Sequence, residues 1–249
     1  MYFNDVHILC YVLIAIIGGI IGQFIDYCNK SFLSEKKIFS KKNFSKYKRI
    51  VLPNYILIFS ISIGYVLLLY KYGIKPNLVE NIDLIKYIVL LPMLACAFAV
   101  DLKEQIIPNR LNLFMFEIGM IIVFIHGFTN INIAINMLLG MLAGAGIFFM
   151  ISLLGGLIAG KEAMGMGDVK LMGALGLYFG LQNIIVISVL AFLIGAIVSV
   201  IYLIVKKKKS NNYIPFGPFI VIGSMITIFV PFNILFTILM EIFSLGLYK

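Results

Sequence analysis

Charge is what this sequence has least of. Only 12% of its 249 residues are charged, and 62% are hydrophobic. A soluble domain is about half apolar and a quarter charged. A water-soluble fold of this size has too little interior to hide so much apolar surface, so an ordinary cytosolic enzyme and a disordered chain are both excluded. Cysteine is scarce too. Cys10, Cys28 and Cys96 form no CxxC pair and no metal-ligand spacing, which leaves neither a structural zinc nor a disulfide framework to expect. The first apolar run has no basic leading region and no small-residue cleavage site, so it is expected to stay as a span. No internal repeat is visible.

What is present is a series of long, continuous runs rich in Ile and Leu. Barrel strands would alternate in short segments, so these runs read as membrane helices. The expected fold is an all-α, polytopic transmembrane bundle of about eight spans, with the N-terminus outside. The spans fall at residues 6–27, 50–70, 84–100, 111–127, 132–158, 169–181, 183–205 and 216–247. The last contains Pro231 and reads as one span plus a surface helix. The organisation expected is a helix pair over 1–83 with a short basic loop, then a six-span core over 84–249. Gly18/Gly22 and Gly140/Gly144 are small-xxx-small pairs that mark close helix contacts.

The net charge is +9. In a membrane chain such a balance reports topology and contact with anionic lipid, and nucleic acid is not an expected partner. Sixteen of the twenty basic residues fall in alternate linkers: the stretch 29–49, Lys103 with Arg110, Lys161 with Lys170, and Lys206 to Lys209. Those linkers are expected to face the cytoplasm.

Acidic residues in apolar runs are costly, so each needs a reason. Asp101 closes the third span and Asp168 opens the sixth. Counting about 1.5 Å per residue, Asp101 lies roughly 23 Å from Lys86, and Asp168 roughly 20 Å from a break near Leu181. Against a hydrocarbon core of about 30 Å, both carboxyls fall several Å below the cytoplasmic edge. Non-helical backbone at that depth needs protein or water beside it, so a wet pocket with two facing carboxyls is expected. Gly165 and Gly167 flank Met166 just before Asp168, where they admit close backbone approach or unusual dihedrals. The bland alternative is a glycine turn with Asp168 as a helix N-cap, and Asp101 paired with Lys103 or Lys170. Elsewhere, Asp26 reads as a helix-end charge, Glu117 as a satisfied polar contact inside the fourth span, and His126 as interfacial.

Two carboxyls in one pocket suit hydrolysis. One takes a proton from water, and the other donates to the scissile carbonyl oxygen. Like-charge proximity lets a singly protonated pair persist near neutral pH. Two other function classes compete: a proton-coupled transporter, which would have related halves and a midplane site, and a scaffold without chemistry, which leaves both acids unexplained.

The residues Asp101, then Ile107-Pro108-Asn109-Arg110-Leu111, then Glu162-Ala163-Met164-Gly165-Met166-Gly167-Asp168-Val169-Lys170-Leu171, and later Pro215-Phe216-Gly217-Pro218-Phe219, resemble the type IV prepilin peptidases. These are intramembrane aspartic proteases of the GxGD class. The resemblance covers about residues 84–230. It implies that Asp101 and Asp168 are the catalytic pair, with Gly165, Met166, Gly167 and Lys170 in the active-site loop. Pro108, Asn109, Glu162, Pro215 and Gly217 become candidate substrate or pocket contacts. It implies cleavage of the short basic leader of a prepilin or pseudopilin at the cytoplasmic face of a bacterial inner membrane, with no metal or cofactor for that step. Glu104 and Glu162 are candidates to meet the basic leader. Many members carry a zinc-binding domain with two CxxC pairs after the first span. Here that loop is short, basic and free of cysteine. The resemblance extends to methylation of the new N-terminus by S-adenosylmethionine, for which no other residues here read as a binding site.

Overall fold

The computed structural model describes residues 2–3, 6–33, 54–77, 79–159, 164–205 and 214–244. The basic residues Lys36 to Arg49, Lys161, Glu162 and Lys206 to Lys209 lie outside the described residues. Among the described residues a short antiparallel pair, Tyr2–Phe3 with Val6–His7, precedes eight α-helices. They are α1 (Ile8–Leu33), α2 (Tyr55–Tyr72), α3 (Ile82–Glu104), α4 (Asn109–Thr129), α5 (Ile131–Ala159), α6 (Met166–Val205), α7 (Gly217–Phe229) and α8 (Phe232–Phe243). The first six are long and apolar enough to cross a membrane. With so many apolar side chains facing outward, the chain is a multi-pass membrane protein. It divides into two compact units, Met1–Glu104 and Gln105–Lys249.

In the first unit α1 and α2 touch backbone to backbone. A Cβ on Gly18 would sit 2.8 Å from the Ser62 Cα, and one on Gly22 2.8 Å from the Ile58 Cα. Glycine is what lets the two helices close to this distance. Ser62 Oγ adds a hydrogen bond to the Ala15 carbonyl at 2.9 Å. Tyr65 ties α2 to α3 by donating to the Ile88 carbonyl at 2.8 Å. Asn54 caps α2 through the Leu57 amide and donates its Nδ2 to Asp26 Oδ1 at 3.2 Å. Asp26, near the end of the first span, is therefore a buried, hydrogen-bonded carboxyl.

In the second unit α5 and α6 are in closest contact. A side chain on Gly140 would meet the Gly176 carbonyl at 2.6 Å, and one on Gly176 would collide with the Gly140 carbonyl. Gly119 gives α4 the same access to Leu177 and Tyr178 of α6. The Tyr178 hydroxyl then donates to the Met115 carbonyl at 2.9 Å, a buried bond worth about 0.5–1.5 kcal/mol net. The expected break near Leu181 falls at Gly180, which takes φ 73° and ψ 178° inside α6. That region is open to glycine alone. Asn136 of α5 receives the freed Leu181 amide at 3.2 Å. Val230 and Pro231 separate α7 from α8, so the last expected span is two short apolar helices. Leu235 and Leu239 seat α8 against Val186 and its neighbours on α6.

One intramembrane residue departs from expectation. Glu117 is exposed on α4, with no polar partner among the described residues. His126 lies in the last turn of the same helix, where an interfacial residue belongs, and is buried.

Candidate active site

The chain enters α4 through Pro108, whose fixed φ of −60° suits the residue before a helix. Its carbonyl accepts from the Leu111 and Asn112 amides at 3.0 and 3.2 Å. Asn109 and Asn112 stand three residues apart, so both carboxamides lie on one face of the first turn. That face meets the start of α6. Asn112 Nδ2 donates to the Gly167 carbonyl at 3.0 Å. Lys170 Nζ donates to Asn109 Oδ1 at 2.8 Å. From α5, Ser152 Oγ donates to the Met164 carbonyl at 3.1 Å.

Three tertiary hydrogen bonds therefore pin the loop that carries Asp168. They act on the fourth residue before it, the residue before it, and the second residue after it. Asp168 is buried in the first turn of α6, and its amide donates to the Gly165 carbonyl at 3.1 Å. It stands inside the helix and is not its N-cap. Neither Gly165 nor Gly167 takes a positive φ. Gly167 is needed for approach instead: an added Cβ would sit 3.3 Å from Ile107 Cβ, tighter than a relaxed contact. Met166 is half exposed.

A groove of about 750 Å³ opens beside this loop, between α4, α5 and the start of α6. Leu113, Phe116, Met141, Leu142 and Phe149 make its wall mostly apolar. Its polar groups are Asn109, Asn112 and Lys170. Lys170 thus faces the groove and bonds Asn109.

Asp101 lies in the last turn of α3, in the first unit, and is buried. Lys103 and Glu104, next to it, are exposed. The two acids occupy opposite helix polarities. Asp168 is at the positive end of the α6 dipole, and Asp101 is at the negative end of the α3 dipole.

The structure gathers Gly165, Gly167, Lys170, Pro108 and Asn109 around the Asp168 loop. Among the described residues Pro215 and Gly217 make no hydrogen bond to that loop. They flank Phe216, which packs into an aromatic cluster with Phe148 and Phe192 at 5.9 and 5.1 Å between ring centroids. Asn112 and Ser152 escape a reading of the sequence. For Asn112 a faint signal exists, a carboxamide three residues after Asn109 in an apolar run. For Ser152 there is none. Among the described residues no cluster of three His, Cys, Asp or Glu side chains could hold a metal ion.

Residues 88–200 match the Type IV leader peptidase family. Similar curated proteins include prepilin leader peptidase/N-methyltransferases of three bacteria. That of Aeromonas hydrophila is 30% identical over 129 residues, 52% of this chain and 43% of its own length. That of Xanthomonas campestris pv. campestris is 32% identical over 143 residues, 57% of this chain and 48% of its own. That of Pseudomonas aeruginosa is 32% identical over 130 residues, 52% of this chain and 43% of its own. The chain spans less than half the length of each of these relatives. No solved structure matches it.

Proposed function

We propose that this protein, whose residues 88–200 form a type IV leader peptidase domain, is an aspartic endopeptidase that removes the short basic leader from a prepilin or pseudopilin. Asp101 and Asp168 are its catalytic carboxyls, and residues 84–249 its catalytic core. The observation that carries this reading is the pinned loop. A buried carboxyl inside a membrane helix is expensive. Here Asp168 is held in place by bonds on both sides of it, next to a groove able to take a peptide.

The chemistry follows from two carboxyls sharing one proton. In the microstate with the shared proton on Asp101, the ionised carboxyl of Asp168 sits at the positive end of a helix dipole. Asp168 takes a proton from water as the water oxygen bonds to the scissile carbonyl carbon. Asp101 gives its proton to the carbonyl oxygen. When the tetrahedral diol collapses, the C–N bond breaks. The leaving nitrogen takes the proton held by Asp168, and the diol hydroxyl returns one to Asp101. The pair starts and ends with one proton, and its titration belongs to both groups. The apolar groove suits the apolar helix that follows the cleaved bond, with the basic leader left outside the membrane.

The charge bias of the linkers supports a cytoplasmic active site, an outward N-terminus and a bacterial inner membrane, with the basic loops on anionic lipid. The relatives' names include an N-methyltransferase activity. Among the described residues the groove offers one charged group, Lys170, and no carboxylate for a cationic cofactor such as S-adenosylmethionine, so N-methylation is not part of this proposal.

Incubating a full-length prepilin with the protein in vesicles and weighing the products by mass spectrometry tests this function. One cut on the leader side of the apolar helix is the expected result. An intact prepilin beside a correctly folded protein would overturn it.

A further inference from the structure

Asn112 is an odd residue to find where it is. It is 4% exposed, and its Oδ1 has no hydrogen-bond partner among the described residues. A leucine would occupy nearly the same volume with no buried acceptor left over, so the carboxamide costs stability at this position. Its other half has a single use, the 3.0 Å bond to the Gly167 carbonyl.

That carbonyl belongs to the peptide plane shared by Gly167 and Asp168. The plane is rigid, so fixing its C=O and its N–H fixes the Asp168 Cα. Asn112 holds the C=O and Gly165 holds the N–H. Two residues past Asp168, Lys170 is held by Asn109 from the same turn of α4.

We propose that Asn112 is a positioning residue. Its Nδ2–H sets the peptide plane of Gly167 and so the direction in which Asp168 presents its carboxyl, with the Asn109–Lys170 bond closing the bracket from the other side. The inference rests on the catalytic role of Asp168 proposed above. Asn112 itself touches no reacting atom. Among the described residues the titratable groups around it are Asp168 and Lys170 on α6 and Arg110 on its own helix, and α5 contributes none.

Two substitutions test it, with a prepilin as substrate in phosphatidylethanolamine/phosphatidylglycerol vesicles. Asn112→Leu removes the donor and the orphan acceptor together. It should lower kcat about 10- to 100-fold, as a misplaced catalytic group does, while KM stays within about threefold and the melting temperature is unchanged or higher. Asn112→Asp keeps the shape of asparagine and gains a pH-dependent donor. Ionised, it sets an oxygen against the Gly167 carbonyl; protonated, it donates again. Its rate relative to wild type at the same pH should therefore be about 10-fold or more lower near pH 8 and recover to within about threefold near pH 5. A merely structural asparagine would instead show its loss in the melting temperature of Asn112→Leu, with kcat unchanged wherever the protein stays folded. A wild-type kcat in Asn112→Leu, a loss confined to KM, or an Asn112→Asp ratio that is flat with pH would overturn the proposal. Asp168→Asn run alongside separates the two claims. If it still cleaves, the proposed function itself fails. If it is inactive while Asn112→Leu runs at full rate, only the bracket fails.

Discussion

Asn112 donates its Nδ2–H to the carbonyl of Gly167 at 3.0 Å, across 55 residues of sequence. Around that bond the second unit builds a floor for one carboxyl. Pro108 starts the helix, the two asparagines of its first turn reach α6, and Gly167 stays small enough for Ile107 to close over it. The helices beneath this floor, and the chemistry above it, can each be tested.

The glycine seam between α5 and α6 comes first. Gly140→Val puts a branched side chain where a single Cβ already meets the Gly176 carbonyl at 2.6 Å. The neighbour is backbone and cannot turn aside. Overpacking of this kind costs about 1–3 kcal/mol, so the melting temperature in detergent should fall by several degrees. An unchanged melting temperature would mean that the two helices do not touch at this glycine.

The break in α6 gives the second. Gly180→Ala forces a Cβ into a glycine-only conformation and against Asn136 Nδ2, 2.6 Å away. Asn136→Ala alone loses the hydrogen bond to the Leu181 amide. The double variant removes the clash along with the cap, so its loss of stability should be smaller than the two single losses added. Simple additivity in thermal unfolding would deny that the two residues act together.

Much of this architecture is legible in the sequence, and the reason is physical. A membrane helix must be long and apolar, so its existence is written in composition. Dividing the long apolar run into spans 169–181 and 183–205 locates the α6 break within one residue of Gly180, and Pro231 marks the division of α7 from α8. The small-residue pairs point to the seams because close approach has a compositional requirement. What stays hidden is partnership. Asp26 meets Asn54, Asn136 meets Leu181 and Ser152 meets Met164 through folding alone. In an apolar run no periodicity tells a buried face from a lipid-facing one, so the exposure of Glu117 and the burial of His126 are equally unreadable. At the site, the residue pattern singles out the loop and proposes both acids as the catalytic pair, but it does not point to the asparagine that bonds beside one of them.

The shared-proton mechanism makes a third prediction, about pH. Cleavage needs one carboxyl ionised and one protonated, so kcat/KM for prepilin should follow a bell. The acid limb reports protonation of the ionised member, and the alkaline limb reports loss of the proton from the other. A profile flat down its acid side would argue against carboxylate base catalysis.

The most direct measurement is the initial rate of prepilin cleavage by Asp101→Asn, Asp168→Asn and the double variant, at matched protein levels and with melting temperatures checked. Groups that act as one unit fail as one unit, so each single variant should lose about 10³-fold or more and the double variant little beyond that. If either single variant cleaves at the rate of the unsubstituted protein, these two aspartates are not a catalytic pair.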